Sequence, residues 1–164
     1  MSASSGFESG NGITGGAGAL DASARIAAIE KRRAARKETA AAARAAQYAV
    51  DLEALDALEV EHGDGSVAAL EVGGFVEGLP TLVVVRSPGG TSFYRRYTDM
   101  VRKAGKNAQA IGAAQDMLGE SCIVYPADGE ARARMFEAFP GTKITAALRA
   151  LRFVELEAAD EKKG

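Results

Sequence analysis

The sequence predicts an α+β fold, mostly α, with a long N-terminal helix, one β-hairpin and a compact cluster of about four short helices. Three observations predict it. From Ala22 to about Glu61 no glycine or proline interrupts alanine interspersed with Arg, Lys and Glu, all strong helix formers. Val83–Val85 is a β-branched run with glycine and proline on both sides. Beyond Pro88, short apolar-periodic segments alternate with Gly or Pro breaks.

Taken in order, residues 1–20 are dominated by Gly, Ser, Ala and Asn without apolar period, which reads as a disordered tail. Asp21 or Ser23 is the expected cap of a charged, Ala-rich helix over 21–62. Its first half carries only Ile26 and Ile29 as large apolar residues, whereas Tyr48, Leu52, Leu55 and Leu58 form a stripe in the second. The helix is thus expected to start as a solvated arm and end docked, stopped by His62-Gly63-Asp64-Gly65. A compact domain over 63–158 follows, then a charged tail at 159–164.

Within that domain, 67–72 and 81–86 read as the two strands of the hairpin. Thr91 or Ser92 caps a helix with Phe93, Tyr97, Met100 and Val101 on one face, closed at Ala104-Gly105. A helix over 107–119 points Ile111, Ala114, Met117 and Leu118 inward and ends on Gly119 as its C-terminal cap. Cys122-Ile123-Val124-Tyr125-Pro126 is an apolar run ended by proline that suits a short strand, but in this setting it reads rather as helical packing running into a turn. Asp128 caps a short helix through Met135, Phe136 and Phe139, which Pro140-Gly141 breaks. Thr142 caps a last helix bearing Ile144, Ala147, Leu148, Leu151 and Val154.

Composition narrows the chemistry. Of the 164 residues 47% are hydrophobic, yet only 6% are aromatic and Trp is absent, so alanine carries much of the apolar count. One Cys excludes an internal disulfide or a Cys-based zinc cluster, and one His excludes a histidine-rich metal site. The balance of 20 basic against 22 acidic residues, net −2, argues against a dedicated nucleic-acid binder. No segment offers the roughly 18 consecutive apolar residues of a membrane span, and the N-terminus has no basic, apolar leader, so a cytoplasmic setting is expected.

No catalytic constellation emerges, and neither an enzyme nor a cofactor is expected. Gly10-Asn11-Gly12-Ile13-Thr14-Gly15 matches a dinucleotide fingerprint in letters, but no strand precedes it. His62, between Glu61 and Asp64, lacks the converging ligands of a metal site and suits a helix C-terminus. Cys122, beside Ile123 and Val124, reads as core. The basic patch Arg32, Arg33, Arg36 and Lys37 occupies adjacent helix rows, ahead of an acidic stretch of Asp51, Glu53, Asp56 and Glu59. That segregation suits a solvated face or pairing between copies in a homo-oligomer, and also allows a phosphate-rich or acidic partner. Phe75, Tyr94, Tyr97 and Met100 are candidate partner contacts, since aromatic and Met side chains suit adaptable interfaces. Tyr97 and Met100 equally suit the core, through the face they share with Phe93.

The order Leu82-Val83-Val84-Val85-Arg86, a Pro-containing turn, Thr91-Ser92-Phe93-Tyr94-Arg95-Arg96-Tyr97, Cys122-Ile123-Val124-Tyr125-Pro126 and Phe139-Pro140-Gly141 resembles the tail assembly chaperones of long-tailed bacteriophages and gene-transfer particles. The resemblance spans Val67 to Leu151 and leaves the tail and long helix unmatched. It implies a non-enzymatic protein of the host cytoplasm that binds the tape-measure protein and assists assembly of the tail-tube protein. The alternatives are a structural virion component, such as a head–tail connector or minor tail protein with a helical arm, and a small nucleic-acid-associated protein using the basic patch.

Overall fold

The computed structural model describes residues 16–63 and 65–161, with side chains placed for 21–63 and 65–156. Five helices and three strands follow in the order α1 (Gly16–His62), β1 (Val67–Glu71), β2 (Leu82–Arg86), α2 (Ser92–Ala104), α3 (Ala108–Cys122), β3 (Ile123–Tyr125), α4 (Gly129–Ala138) and α5 (Thr142–Glu161). The chain is therefore α+β and mostly α, with a long N-terminal helix and a small antiparallel sheet. Two units divide it, one up to Ala41 and one from Ala42 onward.

In the first unit every residue from 21 to 41 is exposed, including Ile26 (57%) and Ile29 (48%). Helix α1 begins at Gly16, so residues 16–20 are helical where the sequence reads as tail. The rest of that tail, with the glycine-rich 10–15 segment, lies outside the described residues. At the other end α5 continues to Glu161, into the stretch read as a charged tail.

In the second unit the sheet order is β1-β2-β3, with β2 central and antiparallel to both neighbours. Strand β3 corrects the expectation of helical packing over Cys122–Pro126. Leu82–Val85 is buried on both faces of the sheet, so backbone groups on both edges of β2 need partners that water cannot supply. The short β-branched run supplies them, with an irregular register in which Val84 pairs with Tyr125 and Val85 with Ile123. The hairpin expected from sequence is thus a three-stranded sheet. The following Tyr125–Pro126 peptide is cis.

On one face of the sheet Val83 and Val85 join Leu118, Cys122, Met135, Ala146, Ala147 and Ala150 in the main core, against which Phe93, Tyr94, Tyr97, Phe136 and Phe139 pack. Leu82 and Val84, of opposite parity, are equally buried but lie outside that cluster. Expected caps are found at Thr91, whose hydroxyl accepts from the Tyr94 amide, at Gly105, and at Asp128, which accepts from the Ala131 amide.

Three expectations about α3 and α5 need correction. Gly119 is not a cap, because α3 runs on to Cys122 and is capped at its start by Asn107. Instead Gly119 is where α5 comes closest. A Cβ there would collide with the carbonyl of Lys143, so only glycine admits this approach. With the backbones so near, the small residues Ala146, Ala147 and Ala150 face inward. Ile144 (40%) and Leu148 (51%), expected with the apolar face, are turned out. Thr142 is the first residue of α5 rather than a cap preceding it.

Candidate functional site

Asp51 carries the most elaborate polar site. Its side chain is fully buried, although its neighbours Leu52 and Glu53 are exposed. Oδ2 accepts hydrogen bonds from the Thr81 amide (2.6 Å), the Thr81 hydroxyl (2.5 Å) and the Leu82 amide (3.1 Å). Oδ1 accepts from the Gln47 side-chain amide (2.9 Å) and the Tyr125 hydroxyl (2.7 Å). One carboxylate thereby ties α1 to the start of β2 and the end of β3.

Burial alone raises the Asp51 pKa, but the bonds from Thr81, Gln47 and Tyr125 together outweigh it, so the carboxyl lies below its ordinary value of 3.8. Burial, then the bond to Asp51 and its charge, push the Tyr125 phenol well above its ordinary value. The five donated bonds satisfy the carboxylate and leave no lone pair aimed at open space. The arrangement fastens elements together and offers no reacting atom.

The sequence pattern groups Asp51 with a solvated acidic stretch, and the structure overturns that grouping. The inward stripe of α1 is Gln47, Asp51, Ala54, Leu55 and Leu58, whereas Tyr48 (39%) and Leu52 (37%) face outward. Period alone cannot distinguish the two stripes, because both repeat at three and four residues. Of the acidic stretch only Glu53 and Asp56 are exposed, with Glu59 half-buried.

The other sequence-predicted residues are scattered. Arg32, Arg33, Arg36 and Lys37 are all exposed on α1 in the first unit. Tyr94 and Tyr97 stack on one another on α2, with centroids 6.2 Å apart and planes at 22°, and both lean on the core. Burial, then the neighbouring Tyr94, raises the Tyr97 phenol pKa. Met100 is half-buried on the same helix, and Phe75 is half-buried on the β1–β2 connection, a separate element. Cys122 is fully buried, and its thiol is pushed up to about 12 by burial, only partly countered by Arg86, so it is protonated at neutral pH. Among the described residues no three His, Cys, Asp or Glu converge as a metal site, and no helix is long and apolar enough to cross a membrane.

What the sequence reading misses is a surface trough along α5. Three adjoining concavities of about 390 to 420 Å³ share lining residues along this helix. The first lies among Phe139, Thr142, Thr145, Leu70 and Glu71, the next between Ala69, Leu70, Leu148, Arg149 and Arg152. The last is bounded by Arg149, Arg152, Phe153, Glu155 and Leu156, the last of these 64% exposed. Leu148, Phe153 and Leu156 contribute apolar side chains to the lining, and the last two concavities share the two arginines Arg149 and Arg152. Neither is ion-paired among the described residues. The same close approach at Gly119 bears on it: with alanines filling the α3–α5 seam, Ile144, Leu148 and Leu156 of α5 are exposed, while Leu151 packs on the core. The available signal was the run Ala146-Ala147 and Ala150 opposite Gly119, a small-residue seam rather than an apolar stripe. Exposed apolar side chains beside two cations can hold an amphipathic helix with acidic flanks.

No protein-family model, curated protein sequence or solved structure matches this chain.

Proposed function

We propose that this chain is a non-enzymatic tail assembly chaperone that holds apolar helical segments of a tape-measure protein in the host cytoplasm and assists addition of tail-tube subunits. The observation that carries the reading is the run of concavities along α5, lined among the described residues by the apolar Leu148, Phe153 and Leu156 and by Arg149 and Arg152. A tape-measure chain must keep long apolar helices from self-association before the tube closes around it. A protein that covers such helices needs an apolar groove of its own. The motif order stated from sequence supports the same reading. Its VVVR strand, Thr91-capped helix, Ile-Val-Tyr-Pro strand end and Pro-Gly break are β2, α2, β3 and the α4–α5 turn of one compact unit.

Co-expression with the longest helical protein encoded beside it tests this function. The expected result is that the partner moves into the soluble fraction and co-purifies. A partner equally insoluble with and without this chain overturns the reading. The exposed basic segment of α1 favours a second reading, a structural virion component with a helical arm. Finding the chain in purified particles at fixed stoichiometry would favour that reading over the chaperone.

A further inference from the structure

The second unit carries two exposed helix faces whose charges are opposite in sign and equal in spacing. On the outward side of α1, the exposed acids Glu53 and Asp56 lie between Leu52 and Val60, and Val60 at 87% is the most exposed large apolar residue among those described. On α5, the exposed Arg149 and Arg152 lie between Leu148 and Leu156, which are exposed as well. None of these four charged groups is ion-paired among the described residues. Leu52, Glu53, Asp56 and Val60 stand at the same intervals as Leu148, Arg149, Arg152 and Leu156, with an acid on one helix wherever the other has an arginine. At 3.6 residues per turn those intervals keep each set on one face about 100° wide, along about 12 Å of helix.

We propose that the outward face of α1 in one copy lies in the α5 trough of a second copy, joining copies head to tail. Run antiparallel, Asp56 meets Arg149 and Glu53 meets Arg152. That direction keeps Glu155, the acid lining the same concavity, level with the apolar Val50, whereas the parallel direction would set it against Glu59. The exposed leucines and valine of both faces leave water together, and the four charges find partners. The complementarity favours a second copy over an unrelated acidic partner, because one chain carries both halves of the pattern. The two surfaces differ, so the contact is heterologous, and its repetition gives a ring or a filament. The contact uses the trough without resting on the proposed function, and its test needs no assembly partner.

The experiment is light scattering of the full chain over a range of concentrations, at low and high salt. A mass above that of one chain is expected, rising with concentration and falling with salt. Arg149→Glu with Arg152→Glu, and separately Glu53→Arg with Asp56→Arg, should each hold the chain at the mass of one copy. All four positions are exposed, so the circular dichroism of both variants should match the natural chain. Mixed in equal amounts, the two variants should associate again, since each then meets opposite charge on the other. A natural chain that stays single at every concentration, association that survives either reversal, or variants that do not rejoin on mixing overturns the proposal. Survival of the arginine reversal would place the contact elsewhere, as on the basic segment Arg32–Lys37, which that variant leaves untouched. If a double reversal spoils the fold, Val60→Arg decides alone: it should lower the mass toward one chain, and unchanged association overturns the proposal.

Discussion

The carboxylate of Asp51 accepts both the amide and the hydroxyl proton of Thr81, thirty positions later in the chain. Thr81 stands immediately before β2, so this pair fixes where the central strand begins. Leu82 and Tyr125 complete the arrangement from β2 and β3. A single acidic residue on α1 thus sets the position of two strands that belong to different parts of the sequence.

Removing that residue should be far worse than removing an ordinary helix-surface acid. Asp51→Ala leaves the Thr81 and Leu82 amides and the Tyr125 hydroxyl buried without an acceptor. The expected loss is about 3–5 kcal/mol, read as a lower urea midpoint at unchanged slope. Tyr125→Phe removes one donor and leaves the others in place, for about 1 kcal/mol. Asp56→Ala, at an exposed position of the same helix, should stay within about 0.5 kcal/mol.

Acid should weaken the fold through the same group. Because the Asp51 pKa lies below its ordinary value of 3.8 in the folded state, the unfolded chain binds its proton first as pH falls. The stability it contributes is complete above the ordinary value and is lost as pH drops through the lowered one. Urea midpoints measured from neutral pH downward should therefore fall more steeply below about pH 4 for the natural chain than for Asp51→Asn, which lacks this proton uptake.

The fold class was legible in the sequence because it depends on local signals. The uninterrupted alanine-rich helix, the Val83–Val85 strand and the Thr91, Gly105 and Asp128 caps each follow from residues within one turn. Beyond the helix ends at Gly16, Thr142 and Glu161, the misreadings involve partners distant in the chain. Nothing near Asp51 announces Thr81, and its period matches that of a solvated acid. Ile123–Tyr125 is too short to declare itself a strand without the empty edge of β2 beside it. Gly119 looks like a cap until Lys143 is brought against it, and with it goes the assignment of Leu148 to the core.

Two glycines of α3 should respond oppositely to alanine. Inside a helix Gly→Ala ordinarily stabilises by about 1 kcal/mol. Gly112 has open space where a Cβ would stand, so Gly112→Ala should raise the melting temperature. At Gly119 the new methyl meets backbone of α5, which cannot rotate away. Gly119→Ala should cost about 2 kcal/mol or more despite its better propensity, seen as a lowered melting temperature.

Cys122 should be silent toward thiol reagents in the native protein. It is fully buried with a thiol pKa near 12, so both access and thiolate are lacking. Colour development with an aromatic disulfide reagent at pH 8 should be negligible in buffer and reach one equivalent in denaturant. Rapid reaction in buffer would show that the α3–β3 junction opens.

The most direct measurement of the account as a whole is calorimetric titration of the purified chain with a soluble amphipathic, acidic-flanked segment of the proposed tape-measure partner. It is run beside Phe153→Glu/Leu156→Glu, whose side chains border the trough rather than the core. The account predicts saturable binding by the natural chain, weakened by added salt, and its loss in the variant with the circular dichroism spectrum unchanged. Equal binding by both proteins, or no binding by the natural chain, would contradict it.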